Sequence, residues 1–94
     1  SLIYFNNLSE NAPVQVSVRE FTRRADGTVF VGSIKNLGKA TKTYSLTVEF
    51  LDKSGNVVAT ETASVGPVTA NASKDFRITS ARGSVYGYRY KPVT

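Results

Sequence analysis

The sequence predicts an all-β fold of antiparallel sheets, a two-sheet sandwich or a small barrel with six or seven strands. Three observations predict it. Apolar residues recur at every second position and not at every third and fourth. The alternating runs are rich in Val, Thr, Tyr and Phe, which suit a pleated, half-buried surface. Turn residues interrupt these runs about every ten positions. An apolar face backed by a polar one marks antiparallel sheets that each bury one side, and no window combines helical spacing with good helix formers.

Taken in order, residues 1–13 (SLIYFNNLSENAP) read as an N-terminal extension or linker, with the domain expected over 14–94. PVQVSV sets Val14, Val16 and Val18 on one side of a first strand. REFTRR continues as a charged strand edge, with Arg19 and Arg23 on one face and Arg24 on the other. Asp26-Gly27 is a strong hairpin signal. TVFVGSIKN alternates Phe30, Gly32 and Ile34 against Val29, Val31 and Ser33, and KNLGKATK turns around Gly38. TYSLTVEFLD alternates Tyr44, Leu46, Val48 and Phe50 against Ser45, Thr47 and Glu49. Gly66-Pro67 marks a strand end or an edge. KDFRITS sets Phe76 and Ile78 against Asp75 and Arg77, Gly83 makes a turn, and VYGYRY closes the domain with alternating tyrosines. The expected core is Phe30, Ile34, Val48, Phe50 and Phe76, with Leu46 and Ile78 beside them. Gly32 on that face would let the opposing sheet approach closely, and Asn36 would satisfy backbone groups where its strand ends.

Composition excludes more than it assigns. The chain of 94 residues is long enough for one domain with its own core. It has no Cys and no His, which removes disulfides, thiolate chemistry, His-based triads and the usual general base near neutral pH. No apolar run approaches the roughly 20 residues of a membrane helix. The chain starts at Ser1 and not at Met, so loss of an upstream segment such as a cleaved leader is expected. Twelve Lys and Arg stand against seven Asp and Glu, and no acid follows Asp75. We read this modest excess first as a source of solubility, and second as an attraction for anionic partners.

DKSGN, residues 52–56, could be taken for a metal loop or a nucleophile elbow. A calcium loop would need Gly at its sixth position and a Glu at its twelfth, and neither is present. An elbow would need Gly-x-Ser-x-Gly at a strand-to-helix turn. The stretch fits a strand corner: Asp52 and Ser54 can accept bonds from backbone N–H groups, and Gly55 takes a left-handed conformation.

VGSIKNLG, YSLTVEFLDKSGNVVAT and VGPVTANASKDFRI together resemble the FxLYD family of immunoglobulin-like bacterial domains, over about residues 30–79. Gly32, Ile34 and Asn36 carry the first element. Val48, Phe50, Leu51 and Asp52 carry the second, followed by Gly55, Val57 and Val58. Pro67 and Phe76 carry the third. Val, Phe and Leu stand where the family motif has Phe, Leu and Tyr. The resemblance implies an immunoglobulin-like sandwich acting as an extracytoplasmic accessory domain, without catalysis and without site residues to transfer.

The candidate binding surface is drawn from two stretches. VYGYRYKP offers Tyr86, Tyr88, Arg89, Tyr90 and Lys91, and REFTRR offers Arg19 and Arg23. Facing outward, the three rings would form an aromatic strip beside basic residues, suited to sugars or bases. With no Trp or Met to fill the core, an inward or mixed arrangement is expected. The carboxylates are scattered, although sheet pairing could bring Glu20 near Glu49. No cofactor, no metal and no enzymatic activity are expected. The expected role is a non-catalytic accessory or protein-interaction domain of a secreted or cell-envelope bacterial protein. Its partner would be a protein or an envelope component, and an exposed edge strand could give a homodimer. A carbohydrate- or nucleic-acid-binding module using the tyrosines and arginines is the alternative, with nucleic acid ranked below the other partners.

Overall fold

A computed structural model describes residues 13–94. The N-terminal extension assigned to 1–13 lies outside the described residues except for Pro13. Six strands follow: β1 (Val14–Arg24), β2 (Gly27–Asn36), β3 (Lys42–Leu51), β4 (Val57–Val68), β5 (Ser73–Ser80) and β6 (Gly87–Val93). They form two antiparallel three-stranded sheets, ordered β1-β2-β5 and β4-β3-β6. The sheets stay separate, so the fold is a sandwich and not a barrel. Two hairpins, β1-β2 and β3-β4, lie within sheets, and the other connections cross between layers, as in immunoglobulin-like sandwiches.

Period-two patterning produces the interior. Phe30, Ile34, Leu46, Val48 and Phe50 are completely buried, and Phe76 and Ile78 nearly so. The expected core is thus the observed one, joined by Tyr44, Val65, Val68, Val85 and Tyr90. Burial of each large side chain contributes about 2 kcal/mol before entropy is counted. At the centre Phe30 meets Tyr88 edge-on at 4.7 Å and Phe76 at 5.7 Å, arrangements that suit the ring quadrupoles.

Two local expectations are corrected. In β1 the register slips between Val18 and Glu20, so Val18 and Phe21 both point inward across a β-bulge. Phe21 then meets Phe30 and Tyr88, and the bulge breaks the simple alternation that placed Arg19 and Arg23 on one face. At Gly32 the tightest neighbours belong to its own sheet and not to the opposing one. A Cβ there would lie 2.2 Å from the Ser17 carbonyl oxygen of β1 and 2.8 Å from the Phe76 ring of β5, both neighbours in its own sheet. The need for glycine comes from the crowded backbone beside the bulge.

Among the described residues, each of the four edge strands carries a device that discourages pairing with another chain. β1 has its bulge, β4 carries Pro67, β6 carries Pro92, and β5 is short and charged through Lys74, Asp75 and Arg77.

Candidate functional site

The two ends of the sandwich differ in chemistry. At one end lie the segments 37–41 and 69–72, gathered by Asn36. This side chain is 1% exposed, and its Nδ2 donates to the carbonyls of Val68 at 2.9 Å and Ala40 at 2.8 Å. Its Oδ1 accepts from the Gly38 amide at 2.8 Å. Its backbone N–H donates to Ala72 at 3.0 Å, and its carbonyl accepts from Asn71 at 2.7 Å. One residue thus joins the end of β2, the following loop, the end of β4 and the β4-β5 connection. A buried amide with every group partnered is the hallmark of a structural residue.

At the other end, the hairpin pole, lie the β1-β2 turn (Ala25 and Asp26), the DKSGN corner and segment 81–86. The corner is built as its sequence requires. Asp52 accepts from the amides of Ser54 and Asn56, each at 2.9 Å, and Gly55 has φ of 88°. The Asn56 backbone bond contributes most to holding the Asp52 carboxyl below the ordinary carboxylate range, and the Ser54 amide acts in the same direction. The β1-β2 turn uses Ala25 and Asp26, one position earlier than the Asp-Gly signal implied, and Gly27 opens β2.

Segment 81–86 is fixed from both sides. The buried Thr28 donates through Oγ1 to the Arg82 carbonyl at 2.9 Å, the Arg82 amide donates to Ser80 Oγ at 3.1 Å, and the Tyr86 amide donates to the Leu51 carbonyl at 2.8 Å. Gly83 presses on the hairpin so closely that a Cβ would lie 1.8 Å from the Ala25 carbonyl oxygen. Ser84 takes φ of 58°, a left-handed conformation uncommon for a residue with a Cβ. Arg23, Arg24, Ala25, Ser84, Val85 and Tyr86 line a shallow recess of about 390 Å³. Tyr86 is 57% exposed, and the Arg23 guanidinium lies 5.6 Å from the centre of the Phe21 ring.

The seven candidate residues separate accordingly. Tyr88 is half-buried in the ring cluster and Tyr90 is 9% exposed in the core. Burial, and secondarily the charge of Tyr88, push the Tyr90 phenol upward. The three rings therefore form no continuous outward strip; Tyr86 precedes β6 and escapes its alternation. Arg89 lies on the outer face of β6 and forms an ion pair with its cross-strand neighbour Glu49. Lys91 is exposed two residues further along. Arg19 bonds Asp75 at 3.2 Å on the outer face of the other sheet. Arg23 and Tyr86 alone of the seven share the recess, together with Arg24. Glu20 bonds Thr22, and β1 and β3 belong to different sheets, so pairing does not join Glu20 to Glu49. Sequence reasoning missed Ser84 and Val85, for which the Arg-Gly-Ser turn was the one available signal.

Among the described residues no group of three His, Cys, Asp or Glu side chains could hold a metal ion, and no helix is long and apolar enough to cross a membrane.

Fold and site together define a small β-sandwich with a basic, aromatic recess at one end. Among solved structures the chain is similar to a DUF1425 family member from Shewanella sp. pv-4, determined by crystallography at 1.81 Å. The TM-score is 0.66 at 11% identity, covering 88% of this chain and 79% of that one. At this identity the likeness establishes the fold and nothing finer. No protein-family model matches the chain, and no curated protein matches it. The FxLYD resemblance therefore rests on its own residues, of which Ile34, Asn36, Val48, Phe50, Leu51 and Phe76 are buried.

Proposed function

We propose that this chain is a non-catalytic interaction domain of a secreted or cell-envelope bacterial protein, and that it meets its partner through the hairpin pole and not through a sheet edge. The observation that carries this reading is the recess itself, where two arginines and an exposed tyrosine converge on a segment held by hydrogen bonds from both sides. Rigid framing of exposed polar and aromatic groups suits recognition. The guarded edges support the same choice, since an edge built to recruit a strand would not carry bulges and prolines. The FxLYD resemblance supports the envelope setting. Absence of His and Cys supports a role without catalysis, because the usual acid–base and nucleophilic groups are missing.

Amide NMR of the isotope-labelled chain with soluble fragments of a bacterial envelope tests this reading. Shifts clustered at 23–25 and 84–86 are expected. Shifts confined to β5 or β6, or none, would overturn the choice of surface. Fractionation of cells expressing the full-length protein tests the location, and recovery in the cytosol would overturn it.

A further inference from the structure

The recess carries a more specific assignment, which rests on the hairpin pole being the contact surface. We propose that it binds one acidic sugar residue of a saccharide, its carboxylate held by Arg23, with Arg24 adding positive charge at the edge of the recess, and its ring laid against Tyr86.

Arg19 is matched by Asp75 and Arg89 by Glu49, each on an outer sheet face. Among the described residues only Arg19 and Arg89 form ion pairs, so a missing carboxylate partner is common to the other basic side chains, and what sets Arg23 and Arg24 apart is their place in the recess beside Tyr86. Asp26 is exposed in the turn and Glu20 accepts from Thr22, and neither forms an ion pair with Arg23 or Arg24. Arg23 is held in place by the Phe21 ring, and Phe21 is itself wedged between Phe30 and Tyr88. A guanidinium positioned in advance loses less freedom on binding a carboxylate and offers it two parallel N–H donors.

Tyr86 supplies the second half of the recognition. It is the most exposed large apolar side chain among the described residues, and it is anchored by its own amide and by the buried Val85 before it. A pyranose ring presents a flat face of C–H bonds that covers an aromatic ring, while its hydroxyls remain in water or reach the tyrosine hydroxyl. Ser84, in a left-handed conformation, itself lines the recess beside Val85 and Tyr86, and unusual backbone of this kind gathers at binding sites.

The same geometry selects against nucleic acid. Single strands are held by successive stacking rings and a basic groove that follows several phosphates. Here Tyr88 and Tyr90 are turned into the sandwich, and Arg89 and Lys91 lie on the outer face of β6. One open ring with two cations matches one anionic ring unit.

The test is titration with trigalacturonate, followed by tyrosine fluorescence and amide NMR, at about 20 mM and about 200 mM salt. Saturable binding is expected, with shifts at 23–25 and 84–86, weaker at the higher salt. Tyr86→Ala and the double variant Arg23→Gln/Arg24→Gln should each weaken it roughly tenfold or more. Arg19→Gln and Lys91→Gln should leave it unchanged, and neutral maltotriose should not bind. Each variant is checked by circular dichroism and thermal melting for an unchanged fold. No binding at low salt, equal binding of maltotriose, or unchanged binding by the double variant would overturn the assignment. Tighter binding of a hexathymidylate at the same residues would overturn the sugar while leaving the pole as contact surface. Failure of trigalacturonate together with envelope-fragment shifts away from the pole would remove both readings.

Discussion

The two ends of this sandwich use polar residues in opposite ways. At one end Asn36 is buried and every hydrogen-bonding group it has is satisfied within the chain. At the other end Arg23, Arg24 and Tyr86 face solvent around a recess, while the polar groups that fix the recess, Thr28 and the backbone of 80–86, lie behind them. The difference separates polar residues that hold the fold from those available to a partner. A buried amide loses its water on folding and must be repaid by the chain. An exposed guanidinium keeps its water and contributes little until something displaces it.

That contrast can be broken by mutation. The largest effect is expected at Asn36. Replacement by Leu strands the buried carbonyl of Val68 and removes the half-buried bonds to Ala40 and Gly38, and should cost about 3 kcal/mol in urea unfolding. A loss under 1 kcal/mol would mean that these groups find water, and the structural role of this end would fail. Thr28→Val keeps the shape and removes the single bond to Arg82, for about 1.5 kcal/mol, with faster amide exchange in 81–86 as its local signature.

The Asp52 corner gives a smaller and pH-dependent effect. Its carboxyl titrates below the ordinary range because backbone amides bond the charged form, so its stabilising contribution is complete above the usual carboxylate pKa of about 4 and is lost as pH falls through its lowered folded value. Asp52→Asn should shallow the acid limb of the melting-temperature profile. An unchanged limb would show that the corner holds without the charge. The smallest effect belongs to Arg23→Gln/Arg24→Gln, expected to move stability by no more than about 0.5 kcal/mol. A larger loss would make these arginines part of the scaffold and erase the contrast between the ends.

The strands and most of the interior were legible because alternation is a local property. In β2, in β5 and in β3 from Tyr44 to Phe50 each side chain's face follows from its parity in the strand, and Phe30, Ile34, Leu46, Val48, Phe50, Phe76 and Ile78 lie where parity puts them. The DKSGN corner was legible for the same reason, since Asp52 and Gly55 act on backbone within four residues. By itself, then, the sequence determined an all-β fold of antiparallel sheets, most of its inner faces and the Asp52 corner. The tertiary structure alone decided the bulge that turns Phe21 inward, the reason for Gly32, the separation of Arg19 from Arg23, and the meeting of Arg23 and Arg24 with Tyr86 across some 60 positions. A bulge exists only relative to the partner strand it slips against, and a recess only once two distant segments are packed. No run of neighbouring residues encodes either, because both are set by where the sheets bring the backbone together.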